Sequence, residues 1–177
     1  MKSIIIHIII ILVVTFRVMG QEKSQLCNCS VLLDPEFKGS IDVLKNPGGD
    51  RLQSIKHNLK GEDLVTFEVK QKAQGYFFVT ADYFISGHIV DGWIKANDAF
   101  GIYVRGYSPG DSLRFRTAPA ISAKTIVVVK GYMSKLLPVI DCNPSGWLKV
   151  RFRYDGRKYE GWLAPEDQCA NPYTTCS

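Results

Sequence analysis

The stretch that decides the fold lies in the second half of the chain and contains two Gly-Trp steps. It reads Gly146-Trp147-Leu148-Lys149-Val150 and, a little further on, Gly161-Trp162-Leu163. The same order occurs earlier, where Gly75-Tyr76-Phe77-Phe78-Val79 is followed by Gly92-Trp93-Ile94. The first Gly-aromatic steps of the two stretches are 71 residues apart, and the Gly-Trp steps that follow them are 69 apart. A separation that changes so little indicates two copies of one small module.

Residues upstream of these steps extend the repeat. Pro47, at the end of an apolar strand, lies 72 residues before Pro119, which follows Leu113-Arg114-Phe115-Arg116. Short runs rich in Val, Ile, Phe and Tyr alternate with Gly, Pro, Asn and Asp, a pattern typical of β-meanders, and no helical periodicity is sustained after residue 20. A module this small buries little surface, and a closed or nearly closed barrel removes its exposed edges. We therefore predict an all-β protein with two tandem small β-barrels.

The second copy resembles the bacterial SH3-like domain family, often called SH3b. The family's opening strand and Arg-x-x-Pro turn correspond to Phe115-Arg116-Thr117-Ala118-Pro119, and its fourth and closing strands correspond to the two Gly-Trp steps after residue 145. The first copy departs from the pattern, since Asn46-Pro47 replaces the Arg-x-x-Pro turn and Tyr76 stands where the family has Trp. The resemblance implies two SH3-like barrels, of which the first is a diverged relative.

The repeat also gives the expected domain boundaries. We assign residues 1–20 to a signal peptide, 21–38 to an N-terminal segment, 39–97 to the diverged SH3-like barrel, 98–110 to a connection, 111–168 to the second SH3-like barrel and 169–177 to a C-terminal tail. Within the connection, Phe100-Gly101-Ile102-Tyr103-Val104 is apolar enough to form a strand. We therefore expect the connection to be packed against the modules.

The first 20 residues have the features of a targeting segment. Lys2 precedes an apolar run over residues 4–14, and Val18-Met19-Gly20 offers small or tolerable residues before a cleavage site at Gln21. The run is short for a membrane span, which needs about 20 residues. We expect a cleaved signal peptide, a secreted or periplasmic protein and no transmembrane span in the mature chain. An uncleaved or lipidated anchor is the alternative.

Export would place the cysteines in an oxidising compartment, where they usually pair. Cys142 and Cys169 both belong to the second module, and we predict that they form a disulfide. Cys176 would then pair, if at all, with Cys27 or Cys29, and one of the five cysteines is left over. The Cys-x-Cys pair lacks the second half of a zinc motif, so we expect no metal and no cofactor.

Positive charge is concentrated near the end of the second module. The formal net charge is +5, and Lys149, Arg151 and Arg153 alternate with apolar residues before a hairpin turn expected at Asp155-Gly156. Alternation places the three basic side chains on one face of a strand. This face is either a solvated surface or a shallow site for an anionic polymer. A wall glycan fits an exported protein better than a nucleic acid, and we expect no nucleic-acid partner.

The chain shows no pattern of catalytic residues, and we predict that it is not an enzyme. The mature segment contains only His57 and His88, and neither belongs to a Ser-His-Asp or Cys-His arrangement that the sequence supports. His88 follows Ser86-Gly87 and is expected to be exposed. Glu62-Asp63 is interpreted as a polar turn, because adjacent strand residues point to opposite faces and cannot form an acid pair.

Aromatic residues are the remaining candidates for binding. We expect Trp93 and Trp162 to lie in the cores, whereas Tyr76 and Trp147 either fill a barrel end or line a groove, a position that the resembling family often presents to ligands. The candidate ligand-binding residues are Tyr76, Tyr83, Trp147, Arg151, Arg153 and Tyr159. The resemblance implies a non-catalytic protein that binds cell-wall glycan or peptide. The alternative is a protein-interaction or inhibitor subunit that binds an envelope protein.

Overall fold

The structure is a computed structural model that describes residues 24–105, 110–131, 133–174 and 176. The predicted signal peptide lies outside these residues. The described part is all-β and contains no α-helix, and none of its elements is a helix long and apolar enough to cross a membrane. Its strands are β1 (Gln25–Leu33), β2 (Ile41–Leu44), β3 (Arg51–Ile55), β4 (Val65–Ala73), β5 (Tyr76–Tyr83), β6 (Gly87–Lys95), β7 (Phe100–Val104), β8 (Ser112–Arg116), β9 (Thr125–Lys130), β10 (Leu137–Cys142), β11 (Leu148–Tyr154), β12 (Arg157–Leu163) and β13 (Gln168–Cys169), with a 3-10 helix at Pro165–Asp167.

The strand pairing repeats itself along the chain. Strands β1 to β7 make six antiparallel pairings, namely β1 with β4 and β7, β2 with β3 and β6, and β5 with β4 and β6. When six is added to each strand number, every one of these pairings recurs among β7 to β13. Strand β7 belongs to both sets, since it closes the first copy by pairing with β1 and opens the second by pairing with β10.

The hydrogen-bonded ladder is open at both ends over the described residues, with β3 at one end and β9 at the other. This differs from the barrel closure predicted from the sequence. The outer hairpins are each attached to the rest of the sheet by a single registered pair, Leu44 with Trp93 in the first copy and Arg116 with Trp162 in the second. The outer hairpins thus end the ladder at β3 and β9 instead of closing a barrel within each copy.

One hydrophobic core extends through both copies, and β7 lies at its centre. Phe100 contacts two aromatic rings of the first copy, with ring centroids 5.3 Å from Phe67 and 5.2 Å from Phe77. In the second copy Phe115 packs against Phe152 at 3.9 Å. These residues belong to one continuous cluster of buried side chains. The prediction that Phe100–Val104 forms a packed strand is confirmed.

The cysteine pairing differs from the prediction that Cys142 bonds to Cys169. Cys142 bonds to Cys27 and Cys169 bonds to Cys176, which leaves Cys29 as a buried free thiol. The reason is the position of β1, which lies between β4 and β7. The backbone N–H of Asn28 in β1 donates to the carbonyl oxygen of Asn143 at 3.3 Å, which brings Cys27 to the end of β10.

Candidate ligand-binding groove

A candidate site is a groove of about 680 Å³ in the second copy, between the start of β10 and the end of β11. Four basic residues line it, and all four are exposed: Lys135, Arg151, Arg153 and Lys158. Asp98 is the acidic residue among those that line it. A volume of this size lies in the range of pockets that hold small ligands or short segments of a polymer. Arg151 and Arg153 were predicted from the sequence, and the structure brings them together here.

The groove exists because β10 leaves β11 part of the way along. Val139 is paired with Val150, whereas the preceding Pro138 pairs with Gly101 of β7 on one side and with no residue of β11 on the other. Proline has no backbone N–H and cannot donate to a strand ladder. Gly101 of β7 allows the close approach of β10, because a Cβ atom at this position would lie 2.4 Å from the carbonyl oxygen of Leu137. The start of β10 is therefore held against β7, and the groove lies where β10 and β11 are not paired.

The corresponding strands of the first copy do not separate in this way. Strands β4 and β5 stay paired from Val65 with Tyr83 to Ala73 with Tyr76, over nearly their whole length. The last residues of β11, from Arg151 onward, pair with β12 on one side but with no strand of the described residues on the other. The groove is thus present in the second copy and does not follow from the strand pattern that the two copies share.

The electrostatic character of the groove is positive, although one of its basic residues is partly neutralised. Glu160 accepts a hydrogen bond from Nε of Arg151 at 3.1 Å, and its other oxygen lies 3.7 Å from Nζ of Lys149. These side chains are about half exposed, so the pairs contribute little to stability and mainly orient Arg151. The positive charges of Lys135, Arg153 and Lys158 remain available to an anionic ligand.

Apolar side chains form the floor of the groove. Phe152 is buried and lines it together with Met133 and Leu136. The ring of Tyr159 stacks on Phe152 with centroids 5.5 Å apart, and the two residues are registered opposite each other on β11 and β12. Tyr159 therefore lies on the same face as Phe152, opposite the face of Arg151 and Arg153, and packs against the Phe152 ring. Tyr159 is predicted from the sequence to bind ligand, but it does not line the groove.

Trp147, which the sequence left open between core and groove, is buried. Its side chain is 6% exposed, and it forms a small cluster with Trp162 and Ala164, separate from the main core. The register of Leu148 with Leu163 places Trp147 opposite Ala164 on the same face as the basic residues of β11. The two indoles cover each other on this otherwise polar face, so Trp147 is removed from the candidate binding surface. The prediction that Trp162 is buried is confirmed.

The two tyrosines predicted in the first copy do not join the groove. Tyr76 and Tyr83 stand at opposite ends of β5, about 23 Å apart at the usual rise per residue. Tyr83 lines a smaller pocket of about 360 Å³ near Lys56 and donates a hydrogen bond to the Lys56 carbonyl oxygen at 3.2 Å. Trp93, expected in the core, is half-buried and contacts Phe78 edge to face at 5.4 Å.

His57 has a structural role. The backbone N–H of Val65 donates to Nδ1 of His57 at 3.0 Å, so the proton lies on Nε2, which donates to the carbonyl oxygen of Asp34 at 2.9 Å. The ring is 5% exposed and joins the start of β4 to the chain that follows β1. His88 is exposed, as predicted, and its Nδ1 lies 3.4 Å from the Asp82 carboxylate.

Asp63, which the sequence places in a polar turn, follows the turn at residues 61–62 and is buried, with 2% of its surface exposed. Its carboxylate accepts hydrogen bonds from the backbone N–H groups of Ile85 and Ser86, at 2.8 and 2.9 Å, and from the Ser86 hydroxyl at 2.6 Å. Burial raises the pKa of Asp63, but these hydrogen bonds outweigh it and the net pKa is lowered. The carboxylate thereby fixes the turn between β5 and β6.

The comparisons with known proteins identify no family. No protein-family model matches the chain, and no curated protein matches it. Among solved structures, NlpC2 from Trichomonas vaginalis is similar over 81% of this chain, with a TM-score of 0.32 and 13% sequence identity. This chain spans 48% of the length of that protein. A likeness at this level carries no argument about the fold family or the function.

Proposed function

We propose that the protein is a non-catalytic binding protein with two SH3-like modules that acts outside the cytoplasm and binds an anionic polymer of the cell wall. The observation that carries the proposal is the basic groove beside β11. Exposed cations and the apolar residues Phe152, Met133 and Leu136 line the same groove, so a ligand can satisfy charges and bury apolar surface at one place. Carboxylates of a peptide stem and the hydrophobic faces of sugar rings match this combination.

The assignment of SH3-like modules is supported by the sequence motifs and by the repeated strand pairing. The Arg-x-x-Pro turn of the second copy begins at the last residue of β8, Arg116, and the two Gly-Trp steps lie before β11 and within β12. The Gly-aromatic and Gly-Trp steps of the first copy occupy the corresponding positions before β5 and within β6. The copies therefore agree both in motif position and in strand order.

An extracellular or periplasmic location is supported by the two disulfides. Cys27–Cys142 joins the N-terminal strand to the second copy, and Cys169–Cys176 closes the C-terminal segment. Such bonds persist in oxidising compartments and are rare in the cytosol. The targeting features of residues 1–20 lead to the same expectation.

Sedimentation with purified wall sacculi tests the proposal. The mature protein should co-sediment with sacculi at low salt and be released as salt rises, because exposed charge interactions are screened. Sedimentation that is absent at low salt would contradict wall binding. Sacculi digested to soluble fragments should compete, which separates specific binding from trapping.

An interaction with an envelope protein is the second candidate, and a surface formed by the first copy and the C-terminal segment favours it. Ile85 is 68% exposed, and the exposed rings of Phe84 and Tyr173 contact each other at 5.3 Å beside it. Exposed apolar groups that lie together often mark protein interfaces. If sacculi fail to bind and Ile85→Lys abolishes capture of a detergent-solubilised envelope protein, this second candidate replaces wall binding.

A further inference from the structure

Strand β9 forms an open edge of the sheet. It pairs with β8 on one side, and no strand of the described residues pairs with the other side. An edge of this kind presents unpaired backbone N–H and C=O groups and can accept a further strand from another chain.

The edge is apolar in the middle and basic at both ends. Ile126 and Val128 are 39% and 38% exposed, and the exposed residues Lys124 and Lys130 flank them. The segment 112–131, which contains the whole β8–β9 hairpin, includes four basic residues and no Asp or Glu. The hairpin therefore has no acidic side chain of its own to balance this charge.

The equivalent edge of the first copy has a different character. Strand β3 occupies the same place in the pairing pattern, yet it reads Arg51-Leu52-Gln53-Ser54-Ile55 and is polar at three of its four exposed positions. Because the two copies share this position but not its chemistry, the apolar edge of β9 does not follow from the repeat. Strand β3 also serves as a matched control.

We propose that β9 is a docking edge for an extended segment of a partner protein, apolar in the middle with an Asp or Glu at each end. Such a segment would extend the sheet by backbone hydrogen bonds and place its acids beside Lys124 and Lys130. A second copy of this chain does not fit, because its β9 would add further lysines to an edge that has no acid. This surface is independent of the basic groove and of the proposed wall binding.

The test uses two fluorescent peptides that share the core Thr-Val-Thr-Val-Thr and carry either Asp or Lys at both ends. Fluorescence anisotropy should show that the full-length protein binds the Asp-flanked peptide at least about tenfold more tightly than the Lys-flanked one. Lys124→Glu/Lys130→Glu should reverse this preference. N-methylation of alternate peptide amides should abolish binding, because the backbone hydrogen bonds are then lost.

The control variant Arg51→Glu/Lys56→Glu makes the same change of charge beside β3 and should leave the preference unchanged. The proposal is overturned if neither peptide binds, or if the β9 variant keeps the original preference. It is also overturned if the β3 variant reverses the preference equally, or if Lys135→Glu/Lys158→Glu in the groove abolishes peptide binding. None of these outcomes bears on sacculus binding, so the two proposals can fail separately.

Discussion

Gly101 of β7 and Leu137 of β10 approach each other so closely that a Cβ atom at position 101 would lie 2.4 Å from the Leu137 carbonyl oxygen. This approach holds the start of β10 against β7, at residues that precede the ladder between β10 and β11. The groove lined by Arg151 and Arg153 lies on the other side of β10, where β11 has no partner on that side among the described strands. The residues that β7 contacts, Leu137 and Pro138, are thus also residues that line the candidate binding site.

Gly101→Ala should push β10 away from β7. The atom in the way belongs to the backbone, which cannot rotate aside, and overpacking of this kind typically costs about 1–3 kcal/mol. Urea unfolding measures the loss. In the control Gly49→Ala the nearest group is the exposed side chain of Asn46, which can move, and the cost should stay below about 0.5 kcal/mol. Equal losses in the two variants would show that the contact between β7 and β10 is not special.

The two disulfides should contribute unequally to stability. Cys27–Cys142 spans 115 residues and Cys169–Cys176 spans 7. In the chain-entropy model the long loop gives about 5 kcal/mol and the short one about 2 kcal/mol. Urea unfolding of Cys27→Ala/Cys142→Ala and of Cys169→Ala/Cys176→Ala compares them. Peptide mapping without reduction that recovered a Cys142–Cys169 peptide would contradict the pairing itself.

Trp147→Ala and Trp162→Ala should destabilise the protein to a similar extent. Both indoles are buried in one cluster with Ala164, and truncation of a buried tryptophan costs about 3–5 kcal/mol. Thermal unfolding of the two variants, with Trp93→Ala as the half-buried comparison, tests this. A Trp147→Ala protein as stable as the wild type would place the indole outside the core.

Cys29 should be an unreactive thiol in the folded protein. Burial, with a smaller contribution from the Glu68 carboxylate, raises the pKa of Cys29 to about 12. The folded-state pKa lies above the unfolded value, so between about pH 9 and 12 the unfolded thiol is ionised while the folded thiol is still protonated. The free energy of unfolding is therefore unaffected by this group below about pH 9 and falls by about 1.4 kcal/mol per pH unit as the pH rises toward 12. The difference in unfolding free energy between wild type and Cys29→Ala, followed against pH, isolates this effect. Fast alkylation of native protein by iodoacetamide at neutral pH would contradict it.

Much of the strand pattern could be predicted from local sequence. The hairpin turn expected at Asp155-Gly156 is confirmed, with both residues at positive φ and Tyr154 paired with Arg157. Alternation also placed Arg151 and Arg153 correctly on one exposed face. These features depend on residues close together in the chain, so the alternation of polar and apolar residues along a strand predicts them.

The parts that the sequence did not predict depend on distant partners. The sequence places strand β1 in a segment outside the modules, because its pairing with β4 and β7 involves residues far along the chain. The prediction for the Cys142 disulfide was wrong for the same reason. The burial of Trp147 requires Trp162 as a neighbour on a polar face. Lys135 was missed as a groove residue because only the separation of β10 from β11 brings it near Arg153.

The central claim is that the groove in the second copy binds the wall ligand, and reversal of its charge tests this most directly. The measurement is the affinity of Lys135→Glu/Lys158→Glu for sacculi at low salt, compared with the wild type and with Lys45→Glu/Lys70→Glu, which makes the same change of charge outside the groove. We predict that the groove variant binds at least about tenfold more weakly, a loss of about 1.4 kcal/mol, while the control variant binds like the wild type. Equal affinities of the groove variant and the wild type, or equal losses in both variants, would contradict the claim.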